Sequence, residues 1–77
     1  MILSRRLRQA RKKKGLTQIK VAELIFMERR TLYLFETNRR VPRVEMIERL
    51  AKIYDVNPAW LVGWSDNSER ESIRKQD

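Results

Sequence analysis

Residues 17–42, TQIKVAELIFMERRTLYLFETNRRVP, decide the fold: they read as two short amphipathic helices joined by a tight turn. Thr17 suits the N-cap of the first, because its hydroxyl can accept a hydrogen bond from an orphan N–H of the opening turn. Val21, Ala22 and Ile25 then fall on one face, and Ala22 is small enough to let a second helix cross closely at a steep angle. The next helix is expected from about Glu28 to Thr37, burying Leu32 and Phe35, with Asn38 as a left-handed terminator. Val41 and Pro42 break the pattern. Arg29 and Arg30 open this second helix, and a short braced helix with arginines at its start is suited to lie in the major groove of DNA and present side chains to base edges.

The flanks extend the helical pattern in both directions. Ser4 reads as the N-cap of a helix with Leu3, Leu7 and Ala10 along one face, closed by Gly15. Arg5, Arg6, Arg8, Arg11, Lys12, Lys13 and Lys14 crowd its other faces, and the basic last turn suits the helix dipole. Beyond Pro42, a helix over about 44–54 turns Ile47, Leu50, Ala51 and Ile53 inward, with Met46 as adaptable filler. Asn57 followed by Pro58 is a cap and a first-turn proline for a short fifth helix carrying Trp60, Leu61 and Val62, which Gly63 closes. After Trp64 the chain turns polar; Ser68 and Glu71 have capping-box spacing, but Ile73 is the lone aliphatic residue there. Residues 1–64 are thus expected to form one all-α domain, and residues 65–77 a weakly ordered tail or the stub of a partner-binding helix.

Composition narrows the chemistry. A chain of 77 residues with 42% hydrophobic residues supports one small core without disulfides or metal. It has no cysteine and no histidine, which removes thiolate chemistry, the usual zinc ligands and the side chain that titrates unaided near neutral pH. Enzymatic function, a cofactor and a metal site are not expected. No apolar run approaches the roughly 18 residues of a bilayer span, and the start MILSRRLRQ lacks a signal-peptide core. The expectation is a soluble, cytoplasmic protein with no membrane partner.

The charge is lopsided. Residues 1–43 carry a net +10 and residues 44–77 a net −2, within an overall +8. A basic half joined to a mildly acidic half implies one face turned toward a polyanion: DNA, RNA or anionic lipid. Leu3, Leu7 and Ala10 make too narrow a stripe for firm lipid insertion, and the aromatic platform of single-stranded RNA binding is missing.

The segments RLRQARKKKGLTQIKVAELI, RRTLYLFETNRRVP and LAKIYDVNPAWLVG, taken together, resemble the Xre-type helix-turn-helix domain of bacteriophage repressors and bacterial regulators. The resemblance covers residues 3–64. It implies a five-helix bundle of the lambda-repressor-like type, with helices two and three as the DNA-binding unit and helix three as the recognition helix. By position, Arg29, Arg30 and Leu34 would face bases. Thr17, Gln18, Thr31, Tyr33, Arg39, Arg40 and Arg43 would face the DNA backbone, with Gln18 offering its amide to a phosphate or to a neighbouring recognition side chain. Leu34 could instead be a partner-facing or half-buried apolar residue, and Tyr33 could lay its ring on the bundle edge with its hydroxyl free for a phosphate. Arg11 and Glu36 would pair across helices one and three as a structural ion pair.

Three positions depart from the family pattern. Phe26 stands where glycine is usual in the turn, Glu28 replaces the Ser or Thr cap of the recognition helix, and Arg43 replaces a polar cap before helix four. A bulky residue in a left-handed turn is strained, and would leave Phe26 exposed or folded onto the core. The function implied is a sequence-specific transcription regulator, a repressor binding an inverted repeat of double-stranded DNA as a homodimer. Leu61, Val62 and Trp64, with Ile73, are the candidate dimer surface; Trp60 and Trp64 could equally be core lids. The alternatives are an antitoxin or restriction-system controller that also binds a protein partner, and a basic adaptor that docks an acidic protein.

Overall fold

Leu3, Leu7 and Ala10 recur at the spacing of one helix face, and in the computed structural model, which describes residues 1–70, α1 (Ile2–Lys13) buries all three. The helix begins three residues earlier than an N-cap at Ser4 implies. Met1 is the N-cap, and Ser4 sits buried in the first turn, its hydroxyl donating to the Met1 carbonyl at 3.0 Å. That intrahelical bond satisfies the hydroxyl without a capping role. At the other end Gly15, at φ +76°, turns the chain; its N–H donates to the Lys12 carbonyl and that of Leu16 to Arg11, the paired bonds of a Schellman closure.

Thr17 caps α2 (Gln18–Leu24), its hydroxyl accepting from the Lys20 N–H at 3.0 Å. α3 (Arg29–Glu36) follows, with Glu28 at the N-cap position making no side-chain cap bond, and Asn38 at φ +63° ending the helix as expected. α4 (Val44–Tyr54) is closed by Asp55 at φ +57°, a terminator that no glycine or asparagine announces. Asn57 caps α5 (Pro58–Leu61) by accepting from the Ala59 N–H at 3.0 Å, with Pro58 in the first turn. Among the described residues the domain is an all-α bundle of five helices, as the resemblance implies.

Leu7, Val21, Leu32, Leu50 and Leu61 are fully buried and tie all five helices into one core. α1 lies at its centre, packed on α3, α4 and α5, while α2 packs on α3. Ile53 is half-buried and packs against the edge of that core. Leu61 corrects the expectation of a dimer surface at that position: it is 0% exposed inside the protomer and offers nothing to a partner. A helix of four residues in contact with α1 and α4 has too little width to spare a leucine for its outside.

The start of the polar segment is tied down. Ser68 accepts from the Asn57 N–H at 3.0 Å through its carbonyl, Val56 and Glu69 form an isolated antiparallel bridge, and the Ser65 carbonyl accepts from Arg6. Glu71 and Ile73 lie outside the described residues.

Arg6 also donates to the Trp60 carbonyl and lies 4.7 Å from the centre of the Trp60 ring, so one side chain closes the end of α5 and stacks on its aromatic residue. Arg49 of α4 likewise donates to the Ile25 carbonyl at 3.1 Å, holding the end of α2.

Phe26, in the turn between α2 and α3, has φ +57° and its side chain is 93% exposed. A left-handed conformation costs a non-glycine residue roughly 1–2 kcal/mol, and this ring recovers nothing by burial. Phe26→Gly is expected to raise stability by about 1 kcal/mol after the greater unfolded-state entropy of glycine is subtracted, a rise in Tm of several degrees for a domain of this size. Thermal unfolding followed by circular dichroism tests it; an unchanged or lower Tm would refute the strain.

Candidate nucleic-acid interface

A carboxylate buried without a partner is costly, and the chain answers that cost at Glu36 with a chain of hydrogen bonds that leads to the protein surface. The Glu36 side chain is 1% exposed. Arg11 reaches it from α1 with both prongs, Nε to Oε2 at 2.7 Å and Nη2 to Oε1 at 3.1 Å, and spends Nη1 on the Leu16 carbonyl at 2.8 Å. The bond to Glu36 holds the Arg11 guanidinium above its ordinary pKa despite burial. Gln18, half-buried at the start of α2, donates from Nε2 to Glu36 Oε1 at 3.1 Å, and its Oε1 accepts from Arg29 Nη1 at 3.0 Å. Four residues from three helices are thus linked: Arg11, Glu36, Gln18 and Arg29.

At about 100° per residue, burying Leu32, Phe35 and Glu36 turns Arg30, Tyr33, Leu34 and Thr37 outward, with Arg29 and Thr31 on the two flanks. Arg29, Arg30 and Tyr33 are exposed; Thr31 and Leu34 are half-buried. The Leu34 carbonyl accepts from the N–H groups of Arg39 and Arg40, at 2.9 and 3.2 Å, so the loop after α3 folds back on it. Thr37, which the sequence reading left out, shares the outward face, with its hydroxyl held by the Tyr33 carbonyl at 2.8 Å.

Two shallow grooves flank α3. On one side Arg5, Arg8 and Lys12 of α1 line a cleft with Thr37 and Asn38. On the other, Thr31, Arg40 and Arg43 share a groove with Arg49 and Glu45. Thr31, Arg40 and Arg43 are therefore brought together, whereas Arg39 stands exposed apart from that groove. Thr17 lies exposed beside Gln18 at the start of α2. The sequence shows the charges of α1 but not that they flank the end of α3, which depends on the docking of α1 on α3. Exposed guanidinium forks can pair with phosphates or with the acceptor edge of guanine, and an aliphatic tip suits a thymine methyl.

Val62 is half-buried and Trp64 is 86% exposed, beside an apolar groove lined by Val44, Ile47, Pro58 and Ala59 between α4 and α5. Trp60, by contrast, is a core residue. Among the described residues no group of three acidic side chains could hold a metal ion, and no helix is long and apolar enough to cross a membrane.

Residues 7–61 match the family described as helix-turn-helix, a span from the middle of α1 to the end of α5. The chain is also similar to the HTH-type transcriptional regulator ImmR of Bacillus subtilis (strain 168), at 31% identity over 70 residues, which is 91% of this chain and 55% of that regulator. It thus spans just over half the length of that relative.

Tyr54 sits near the buried pair, 3% exposed, and its hydroxyl has no hydrogen-bond partner among the described residues. Burial, and after it the negative charge of Glu36, push its pKa well above the ordinary value of 10.0. A folded-state pKa above the unfolded one means that this tyrosine destabilises the fold as pH rises through the unfolded value, and does nothing below it. Tyr54→Phe is expected to match or slightly exceed the native stability at pH 7, since it deletes an unpaired buried hydroxyl, and to lose less stability between pH 9.5 and 11 (about the tyrosine range). Urea unfolding at the two pH values measures this; equal alkaline losses in both proteins would contradict it.

Proposed function

The chain belongs to the helix-turn-helix family, and on that premise we propose that it is a sequence-specific DNA-binding transcription regulator, a repressor that binds an inverted-repeat operator as a symmetric dimer. The observation that carries this reading is the first turn of α3, where Arg29 and Arg30 stand exposed at the head of a helix whose outer face the fold leaves bare. With α3 in the major groove, Arg29 and Arg30 pair with guanine edges and Leu34 meets a thymine methyl. Thr17, Gln18, Thr31, Tyr33, Arg39, Arg40 and Arg43 hold the DNA backbone, joined by Thr37 and by the basic face of α1. Repression follows from occluding polymerase.

One copy offers a small contact area, so affinity at physiological salt calls for two, with recognition helices about 34 Å apart along the duplex. Val62 and Trp64, together with Val44 and Pro58, are the surface we assign to that dimer; Leu61 supports it from inside. Its location in the half of the sequence with net −2 charge spares the two copies the repulsion that the basic half would impose.

Selection from a randomised duplex pool at about 150 mM salt tests the reading, because charge alone cannot enrich a motif under that screening. An enriched palindrome is expected; retention without a motif would mean that the arginines serve only phosphates. Arg29→Ala should cost about 1–3 kcal/mol on the preferred site and relax one base position. Arg39→Ala should weaken all DNA alike and lower the slope of log K against log salt by about 0.9. Trp64→Glu should leave the protein folded but monomeric by sedimentation, with affinity for a half-site kept and for the palindrome reduced at least tenfold. A dimer that survives this change would move the interface elsewhere.

A further inference from the structure

We propose that Glu36 is a specificity-positioning residue: through Gln18 it fixes how Arg29 is presented to a base. The inference rests on the DNA-reading role of α3 and adds to it the device that sets one base preference.

A primary amide has two ends of opposite polarity, and rotation by 180° exchanges them at almost no steric cost. In Gln18 that freedom is removed by charge. The Glu36 carboxylate oxygens offer lone pairs, and Arg11 holds them in place by its two-pronged contact at 2.7 and 3.1 Å. The Gln18 NH2 must therefore face Glu36, where Nε2 stands 3.1 Å from Oε1. The reversed amide would set its carbonyl against a buried carboxylate and its N–H groups against the Arg29 cation, two repulsions at once. The outer end of Gln18 is consequently an acceptor, and it takes Arg29 Nη1 at 3.0 Å.

The consequence lies in what Arg29 has left. With Nη1 engaged, the Nε and Nη2 edge of its guanidinium remains as an intact two-donor fork. Such a fork matches guanine, which presents two acceptors in the major groove, and is refused by adenine, which presents a donor beside its acceptor. An untethered arginine on an exposed first turn samples many rotamers and spends part of its discrimination on ordering itself. The buried pair between α1 and α3 thus acts at a distance on base choice, by deciding the polarity of the Gln18 amide. Glu36 is a positioning residue, since it reaches the base only through Gln18 and Arg29.

The test compares enriched motifs from the randomised duplex pool for the native chain, Gln18→Ala, Glu36→Gln and Arg29→Ala, with each protein's melting curve recorded alongside. Gln18→Ala keeps the Arg11 and Glu36 pair, so folding is preserved. The native protein should show a guanine column that Arg29→Ala abolishes. Gln18→Ala and Glu36→Gln should each cut the guanine-over-adenine ratio in that same column at least fivefold, leave the other columns within twofold, and have no further effect on it when combined with Arg29→Ala. Loss of a phosphate contact alone would instead weaken every sequence equally. If Glu36→Gln does not fold at the assay temperature, Gln18→Ala decides alone. An unchanged guanine column in Gln18→Ala overturns the proposal while leaving α3 as a DNA reader; a native protein that enriches no motif overturns the DNA-reading role and this proposal with it.

Discussion

Between α1 and α3 the chain buries an arginine and a glutamate against each other, and most of what lies on the surface of α3 depends on that pairing. Desolvating two charges costs about as much as their attraction returns, so the pair adds little net stability compared with a well-packed apolar substitute. Its effect is on geometry. A carboxylate that is 1% exposed tolerates only the arrangement in which its guanidinium partner is present, and any slide or rotation of α3 along α1 would strand it. The apolar contacts of Leu7, Leu32 and Phe35 admit small shifts at small cost, whereas the two-pronged bond does not. The orientation of the exposed residues of α3 is inherited from it.

Elements with a local cause could be read from the sequence. Thr17, the Asn57 and Pro58 pair, Gly15 and Asn38 each act on their own backbone, and each stands where its chemistry predicts. The hydrophobic spacing gives the buried faces for the same reason. What escaped depends on contacts between residues far apart in sequence. Arg6 looks like one more solvated cation of α1 until α5 arrives beneath it, and Arg49 gives no sign that it closes α2. Leu61 misled because one short apolar run, Trp60, Leu61 and Val62, had to supply both a core and a surface, and periodicity over four residues cannot assign them. The Arg11 and Glu36 pair came from family resemblance; the link onward from Glu36 through Gln18 to Arg29 could be measured only once three helices were in place. Asp55 took a left-handed conformation that aspartate tolerates but does not require, held because the Val56 N–H closes on the Ala51 carbonyl at 2.9 Å.

Two positions go against local preference in the turn between α2 and α3 and at the head of α3. Phe26 is left-handed and Glu28 caps α3 without a cap bond, yet the turn keeps its shape. Tertiary contacts over-determine it: Ile25 is buried, its carbonyl is held by Arg49, and the Met27 N–H returns to the Ala22 carbonyl at 3.0 Å. Residues on both sides of Phe26 are fixed, so the strain is localised at one residue and does not spread into α3. Departures of this kind are tolerated where the surrounding packing leaves no alternative, and they cluster around functional surfaces more than elsewhere.

The charge distribution gives the same division of labour on a larger scale. A net +10 over residues 1–43 opposes compaction through self-repulsion, and a chain of this size has little stability to spare against it. Each cation placed on α1, at the head of α3 or in the loop after it raises that repulsion further, and Arg6, Arg11 and Arg29 recover part of it through side-chain hydrogen bonds to other described residues. The grooves beside α3 keep Arg5, Arg8 and Lys12 on one side and Arg40 and Arg43 on the other, without such side-chain bonds among the described residues. A polyanion lying along α3 would neutralise both rows together, which a small anion at either groove could not do. The repulsion stored in the free protein is then released on binding, so the same cations that weaken the isolated fold strengthen its complex.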